Sequence, residues 1–365
     1  MEDQKILVLR LSAVGDVIRT LPAVKALKER CPSSQITWVV EEPSKDFLQS
    51  QPEVDEVILF PRKRWTQGMR SPRAWWRTAK EMVQLIKELR RRQFDGVLDF
   101  HGILKSGVLS LLSGSPKRIG FDWKSSKEGS SLFSNVKVEL PKEGVTRYQR
   151  GFHLLKGLGL DVPYTSGSLS IPHRDREYVD SFFSQLPVPP SRPLIAIHPG
   201  TSLNYRSKRW MPDRYAQLAD RLTRENQGTV VFTWGPGESP LVEEIRKAMA
   251  APSILAPATQ SLTQLGEVFK RCNLYIGGDT GPSLIASMMG VPVVIIYGPT
   301  DPFLYEPVGK HTNVMKEVGC NPCRKRSCKE MTCLEKITVE DVLEAARNLL
   351  TPPSVRGQGG VVRAS

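Results

Sequence analysis

No apolar run in this chain approaches the roughly 18 residues that a membrane-spanning helix requires. The apolar stretch from Lys5 to Leu11 is too short for the core of a secretory signal and reads as a strand. A cytoplasmic protein, at most peripheral to a membrane, is therefore expected. No Gly-x-Gly-x-x-Gly turn follows any strand-like run, which argues against a nicotinamide oxidoreductase. Signatures of helix-turn-helix, RNA-binding or zinc-finger modules are missing, so nucleic acid is not an expected partner. No internal repeat occurs. Acid is in deficit: 38 Asp and Glu face 51 Lys and Arg, leaving a formal charge of +13.

The excess charge is concentrated. Between Arg62 and Arg92 stand eleven Lys and Arg against Glu81 and Glu88, with Trp65, Trp75 and Trp76 interleaved. Such a patch suits an anionic bilayer, a negatively charged sugar–phosphate lipid or, less well here, nucleic acid. Lys80 to Arg92 reads equally as the solvated face of an amphipathic helix. Arg62 to Arg77 is less periodic and reads as a segment for an anionic ligand.

At 365 residues the chain should form two domains of ordinary size, each able to bury a core. Strand-like runs at 5–11, 36–40, 56–60, 95–100, 117–121 and 135–139 alternate with helical patterns near 17–30, 74–92 and 103–113, and a further helix is expected over 144–158. A second series follows, with strands at 193–198, 229–234, 253–256, 273–276 and 292–297. Its helices are expected at 211–226, 238–250, 261–271, 283–289 and 339–350. The alternation predicts an α/β protein of two doubly wound domains, 1–165 and 191–350. A Pro/Ser-rich linker region at 166–190, holding a helix near 175–185, joins them, and a disordered tail at 351–365 follows.

Two turns carry the chemical signal. Ser12-Ala13-Val14-Gly15-Asp16 links the first strand to the first helix, with an acid where dinucleotide-binding folds place a third glycine. A carboxylate there either faces a ligand at the carboxyl edge of the sheet or caps the helix. Gly277-Gly278-Asp279-Thr280-Gly281-Pro282 follows a second strand and opens a helix whose free amides suit a diphosphate.

With further segments, these turns resemble the ADP-heptose–lipopolysaccharide heptosyltransferases of glycosyltransferase family 9. The matching pieces are Ser12-x-x-Gly15-Asp16 with Leu21-Pro22-Ala23, and Asp99-Phe100-His101-Gly102-x-x-Lys105-Ser106. His198-Pro199-Gly200 with Lys208-x-Trp210, Asp279-Thr280-Gly281 and Tyr297-Gly298-Pro299-Thr300-x-Pro302 follow in family order, up to about residue 350. The block from Trp38-Val39-Val40-Glu41-Glu42 through Arg64-Trp65 to Asp122-Trp123 resembles the members that add the first heptose.

The resemblance implies the GT-B fold, two Rossmann-like domains facing a central cleft. It implies inverting, metal-independent transfer of L-glycero-D-manno-heptose from ADP-heptose to the Kdo–lipid A inner core, in peripheral contact with the cytoplasmic face of the inner membrane. Asp16 would be the base that takes the acceptor proton. No Asp-x-Asp pair stands in a suitable loop, so cations and amides must stabilise the departing diphosphate: Lys208, the hydroxyls of Thr201 or Ser202, and the amides near Thr280 and Gly281. Asp279 would hold sugar hydroxyls unless it caps its helix. Glu238 would bind the ribose unless it caps the helix that follows. Arg62, Lys63, Arg64 and Lys105 fall to the anionic acceptor.

One position departs from the pattern: Leu284 stands where the family usually has a histidine against the donor. A second-heptose transferase, a family 9 enzyme for another sugar or acceptor, and a catalytically silent binder of nucleotide or lipid head group stay open. Cys31 and Cys272 read as buried structural thiols. Cys320, Cys323, Cys328 and Cys333, with Arg324, Lys325 and Arg326 among them, are compatible with a structural metal, reduced thiols or a redox-sensitive disulfide.

Overall fold

Continuous apolar runs in the sequence become strands buried on both faces, as parallel sheets require. The computed structural model describes residues 3–351 except 324, 326 and 327, so the tail expected beyond Thr351 lies outside the described residues. The chain divides into two compact units, the first ending at Ser170 and the second beginning at Ile171.

In the first unit the strands are β1 (Lys5–Leu9), β2 (Gln35–Val40), β3 (Glu56–Leu59), β4 (Gly96–Asp99), β5 (Lys117–Phe121) and β6 (Val136–Val138). They pair in parallel in the order β3-β2-β1-β4-β5-β6. The helices are α1 (Val14–Arg30), α2 (Lys45–Gln49), α3 (Arg62–Met69), α4 (Trp75–Arg91), α5 (Leu104–Leu112) and α6 (Gln149–Leu155). α1 packs on α6, whereas α3, α4 and α5 pack in succession, α5 also meeting the 3-10 turn Ser130–Phe133.

The second unit repeats the plan. Its strands are β7 (Leu194–His198), β8 (Thr229–Phe232), β9 (Ile254–Leu255), β10 (Leu274–Gly278), β11 (Val293–Ile296) and β12 (His311–Val314), ordered β9-β8-β7-β10-β11-β12 and all parallel. Its helices are α7 (His173–Ser184), α8 (Pro212–Asn226), α9 (Ser239–Ala248), α10 (Leu262–Lys270), α11 (Gly281–Met288), α12 (Thr332–Glu335) and α13 (Val339–Leu350). α13 starts where Thr338 and Asp341 cap each other reciprocally, an arrangement worth about 1 kcal/mol. Its apolar face, Val342, Leu343, Ala346 and Leu349, joins the core beside α8. No helix among the described residues is long and apolar enough to cross a membrane.

Both sheets thus have the doubly wound order, which reverses direction between β1 and β4 and between β7 and β10. Ligands bind at that reversal, outside the carboxyl ends of the strands.

The structure departs from the sequence reading in several places. α1 begins at Val14 rather than Val17, so Asp16 lies within its first turn. Arg62 to Met69, where no helix was expected, is helical, and its Trp65 is buried. The helix expected over 144–158 begins later, because Thr146 and Gln149 exchange backbone–side-chain hydrogen bonds at its start, and it ends in a 3-10 turn, Lys156–Leu158. The helix expected near 175–185 is α7, which starts slightly earlier and is tied to α10 by Asp175, whose carboxylate accepts from Thr263, Ser261 and Gln264. β12 was not anticipated: His311-Thr312-Asn313 is polar, and on this edge strand only Val314 is buried.

Candidate active site

In the first unit, parallel pairing sets Leu9 beside Asp99, so the two segments leaving β1 and β4 run together. Arg10 donates to the Phe100 carbonyl at 3.0 Å, and the Leu11 amide donates to His101 Nδ1 at 3.3 Å. The His101 amide donates to the Leu9 carbonyl. Asp16 reaches into this junction from α1. Its carboxylate pairs with Arg10, with Arg19 at 3.8 Å and with Arg147 at 3.9 Å. The cap position of the helix belongs to Ala13, so the Asp16 side chain is committed to the arginines and not to capping.

The electrostatics follow from that ring of charge. Burial by itself raises the Asp16 pKa, but Arg10, Arg19 and Arg147 outweigh it and hold the carboxyl below its ordinary value. Burial lowers the Arg10 pKa, opposed chiefly by Asp16. Arg150, stacked 3.9 Å over the Phe121 ring, is brought down to about 10 by burial and by the neighbouring Arg10 and Arg147. Burial, then Arg10, lowers His101 to about 3, so the ring is neutral near pH 7. Its Nδ1 accepts from Leu11, which leaves Nε2–H as its donor.

Below this junction Asp99 is fully buried. It accepts from the amides of His101 and Gly102 and from the Ser106 hydroxyl, each at 3.0 Å, yet burial raises it to about 6. Gly102 makes the turn with a φ of +66°, where a side chain would be strained.

The sequence-predicted anion ligands sit at the same edge. Arg62 at the start of α3 pairs with Glu41 at 2.7 Å, and Arg62 and Lys105 both act on the charge balance of His101. Arg64 instead pairs with Glu81 at 3.0 Å, which also accepts from Trp65. Lys63 and Lys105 are exposed.

In the second unit, Gly277 lies beside His198 in register, so the loops after β10 and β7 meet. Lys208 donates to the Asp279 carboxylate at 2.8 Å and to its carbonyl at 3.3 Å. The ammonium also lies 5.3 and 5.5 Å from the ring centres of Tyr205 and Tyr305. Thr280 is the cap residue of α11, so Asp279 is not; the Thr280 amide donates to the Ser283 hydroxyl and Pro282 has no N–H, which leaves the Gly281 amide at the start of that helix. Thr201 is buried, with its hydroxyl donating to the Tyr205 carbonyl at 3.2 Å; Ser202 is exposed. Leu284 is buried in α11.

Glu238 occupies the cap position of α9 but turns its carboxylate back. It accepts from the Gly235 amide at 2.7 Å and lies 3.3 Å from His198 Nε2, while Thr233 meets His198 Nδ1 at 3.0 Å. A Cβ on Gly200 would stand 2.1 Å from the Glu238 carboxylate, so glycine there leaves Glu238 its place.

Sequence reasoning missed Arg10, Arg19, Arg147 and Arg150 around Asp16, and His198 beside Glu238. A charged residue at the buried end of β1 was a usable signal for Arg10; nothing local marked Arg147. Cys31 and Cys272 are buried as expected. Cys320 and Cys328 are exposed, Cys323 is half-buried and Cys333 buried, all as free thiols, and Arg324 and Arg326 lie outside the described residues. No three His, Cys, Asp or Glu among the described residues are arranged to hold a metal ion.

Residues 82–334 match a family model described as glycosyltransferase family 9 (heptosyltransferase). The chain is 28% identical over 319 residues to the lipopolysaccharide core heptosyltransferase OpsX of Haemophilus influenzae, covering 84% of this chain and 83% of that one. It is 26% identical over 318 residues to lipopolysaccharide heptosyltransferase 1 of Escherichia coli K12, covering 86% and 93%. Among solved structures, a family 9 glycosyltransferase from Veillonella parvula superposes with a TM-score of 0.75 at 26% identity, over 95% of this chain and 97% of that one.

Proposed function

The chain belongs to glycosyltransferase family 9 and is a glycosyltransferase of the GT-B fold; from that premise we propose that it transfers L-glycero-D-manno-heptose from ADP-heptose to Kdo–lipid A, adding the first heptose of the lipopolysaccharide inner core. The observation that carries the reading is the surrounding of Asp16: three guanidinium groups against one carboxylate, at the switch point of the first sheet. A carboxylate kept ionised accepts a hydroxyl proton, and the surplus of positive charge suits an acceptor bearing carboxylates and phosphates.

The first unit serves the acceptor. Arg62, Lys63, Arg64 and Lys105 bind its anionic groups, and the neutral His101 offers Nε2–H to an acceptor oxygen. The second unit serves the donor. Lys208, the Gly281 amide at the start of α11 and the exposed Ser202 hydroxyl take up the charge of the departing diphosphate, without a divalent cation. Asp279 orients Lys208 and accepts from heptose hydroxyls, and Glu238 accepts from the ribose. The acceptor oxygen attacks the anomeric carbon as the bond to the diphosphate breaks, and Asp16 receives the hydroxyl proton. Displacement in line inverts the anomeric centre.

The test is direct. Purified protein is incubated with ADP-heptose and lipid A carrying one or two Kdo units, and the product is followed by mass spectrometry. Addition of one heptose to a Kdo-bearing acceptor that lacks heptose is expected. Transfer only to an acceptor already bearing one heptose, or only from another sugar nucleotide, overturns the reading.

A further inference from the structure

Of the twelve large hydrophobic side chains that stand exposed among the described residues, eight lie between Met69 and Leu132, all in the first unit. Five of these cluster at one end of it. α5 follows β4 and the turn at Trp123 follows β5, so both start at the carboxyl edge, the edge that carries Asp16. α3 leaves that edge after β3, and α4 returns antiparallel to it toward the start of β4, with Trp65 meeting Glu81 and Gly68 meeting Thr78. The α3–α4 connection therefore lies beyond the same edge. Trp75 and Trp76 open α4, Met69 closes α3, Leu104 opens α5, and Trp123 lies in the turn after β5. Trp76 is 71% exposed and Trp123 68%, and Trp75 stacks on Trp76 with ring centres 4.1 Å apart.

Exposed tryptophan on this scale is unusual for a surface meant only for water. Its neighbours are cationic: Arg70, Arg73, Arg77, Lys105, Lys124 and Lys127 are all exposed around it. The acids of these segments are engaged elsewhere. Glu128 accepts from the Leu104 amide, Asp122 from the Ser125 amide, and Glu81 pairs with Arg64. Farther along α4 the outward stripe Trp76, Lys80, Val83, Lys87 and Arg90 continues the same mixture at helical spacing, opposite the buried Thr78, Leu85 and Leu89.

We propose that this edge of the first unit docks on an anionic lipid bilayer, with Trp75, Trp76 and Trp123 seated at head-group depth and the flanking arginines and lysines on lipid phosphates. Indole rings favour that depth because one part is apolar and the N–H is satisfied by head groups or water. Basic side chains add attraction to anionic lipid that fades within a Debye length. Docking there brings the carboxyl edge of the sheet to the surface in which a lipid acceptor is anchored. In that respect the inference rests on the lipid-acceptor reading above.

The experiment compares sedimentation of the full chain with vesicles of phosphatidylglycerol and phosphatidylethanolamine, and with vesicles of phosphatidylcholine alone. Wild-type protein is expected to bind the anionic vesicles, less so as salt rises, and to leave the zwitterionic ones largely unbound. W76S/W123S and R73S/R77S should each lower the anionic partition roughly ten-fold or more. Circular dichroism and thermal melts show that the variants are folded. Quenching of wild-type fluorescence by bromine-labelled acyl chains reads the same insertion without any substitution. Transfer to a deacylated, water-soluble acceptor should be unchanged in W76S/W123S, and its transfer to acceptor in vesicles should fall with binding. Equal partition of variants and wild type, or no quenching by the brominated chains, overturns the proposal. A preference for single-stranded nucleic acid over vesicles, lost in the same variants, reassigns the surface and overturns it too. Loss of vesicle binding in a protein that transfers heptose to no acceptor leaves the docking surface standing and removes the functional reading instead.

Discussion

The Lys208 ammonium lies 2.8 Å from the Asp279 carboxylate, with side-chain exposures of 17% and 5%. The cation expected on the diphosphate and the acid expected on the sugar are thus one buried pair at the start of α11. Asp279 fixes where the ammonium points, and the ammonium keeps Asp279 from standing as a lone buried charge.

Lys208→Ala should raise the donor KM and lower turnover together, by a combined factor of about ten to several hundred, since a charge-assisted contact contributes roughly 1–3 kcal/mol. Lys208→Arg should recover part of the loss. Steady-state kinetics with ADP-heptose and calorimetric binding of ADP provide the check; an alanine variant with wild-type constants removes Lys208 from the donor site.

If Lys208 and the Gly281 amide carry the leaving-group charge, saturating EDTA leaves the transfer rate unchanged. The measurement is initial rate with and without chelator. A loss that Mg²⁺ or Mn²⁺ restores shows that a cation does this work instead.

Asp16→Asn should lower turnover by roughly two to four orders of magnitude, the usual size of a general-base contribution. It should also cost stability, about 1–3 kcal/mol, because Arg10 is buried and loses its ion-pair partner. ADP affinity should hold, since its expected ligands lie in the second unit. Near-normal turnover in a destabilised variant would leave Asp16 a purely structural counter-ion. Because the arginines hold its pKa below the ordinary value, the acid limb set by Asp16 in the rate profile lies below the usual carboxylate range.

Asp99 supplies a pH test of the fold. Its folded pKa is raised to about 6 from 3.8, so the native state keeps a proton that the unfolded chain has released. Stability from this group is therefore highest at low pH and declines as pH rises from about 4 to about 6, by roughly 2–3 kcal/mol. Asp99→Asn, which keeps an acceptor for the two amides, removes that decline. The stability of the variant minus that of wild type should climb by this amount between about pH 4 and pH 8 in urea titrations. The difference cancels His101, whose lowered pKa acts with the opposite sign, withdrawing stability as pH falls below 6.5 toward about 3. A flat difference means that Asp99 is ionised throughout.

Replacing Arg62, Lys63 and Arg64 together by serine should raise the KM for a Kdo-bearing acceptor ten-fold or more, by about 1–3 kcal/mol per direct contact, with a larger effect at low salt. The single variants should be unequal. Lys63 is exposed and free to meet a ligand, Arg62 divides its charge with Glu41, and Arg64 is held by Glu81. Lys63→Ser should therefore account for more of the loss than Arg64→Ser. A rise in the ADP dissociation constant of the same size would point to general damage.

Much of this protein was legible in the order of its residues. Runs such as Leu194 to His198 and Val293 to Ile296 are apolar because both faces of a parallel strand are buried, and the Gly- and Asp-rich turns after them mark the carboxyl edges where ligands bind. Asp16, Lys208 and Asp279 could be chosen from those turns, since strand, turn and helix signals are written within a few neighbouring residues. α3 and β12 escaped because their formation depends on neighbours: Trp65 is buried against Phe60, and Val314 against β11. Tertiary structure alone decided which charges meet. Arg147 joins Arg10 and Asp16 because α6 packs on α1, and Lys208 meets Asp279 because strand order sets β7 beside β10. Contacts with other segments engage the carboxylates of Asp16, Asp279 and Glu238, the last from the cap position of α9, and burial pushes Asp99 and His101 away from their ordinary pKa values. An ion pair depends on distance and on exclusion of water, and both are set by segments brought together from far apart in the chain.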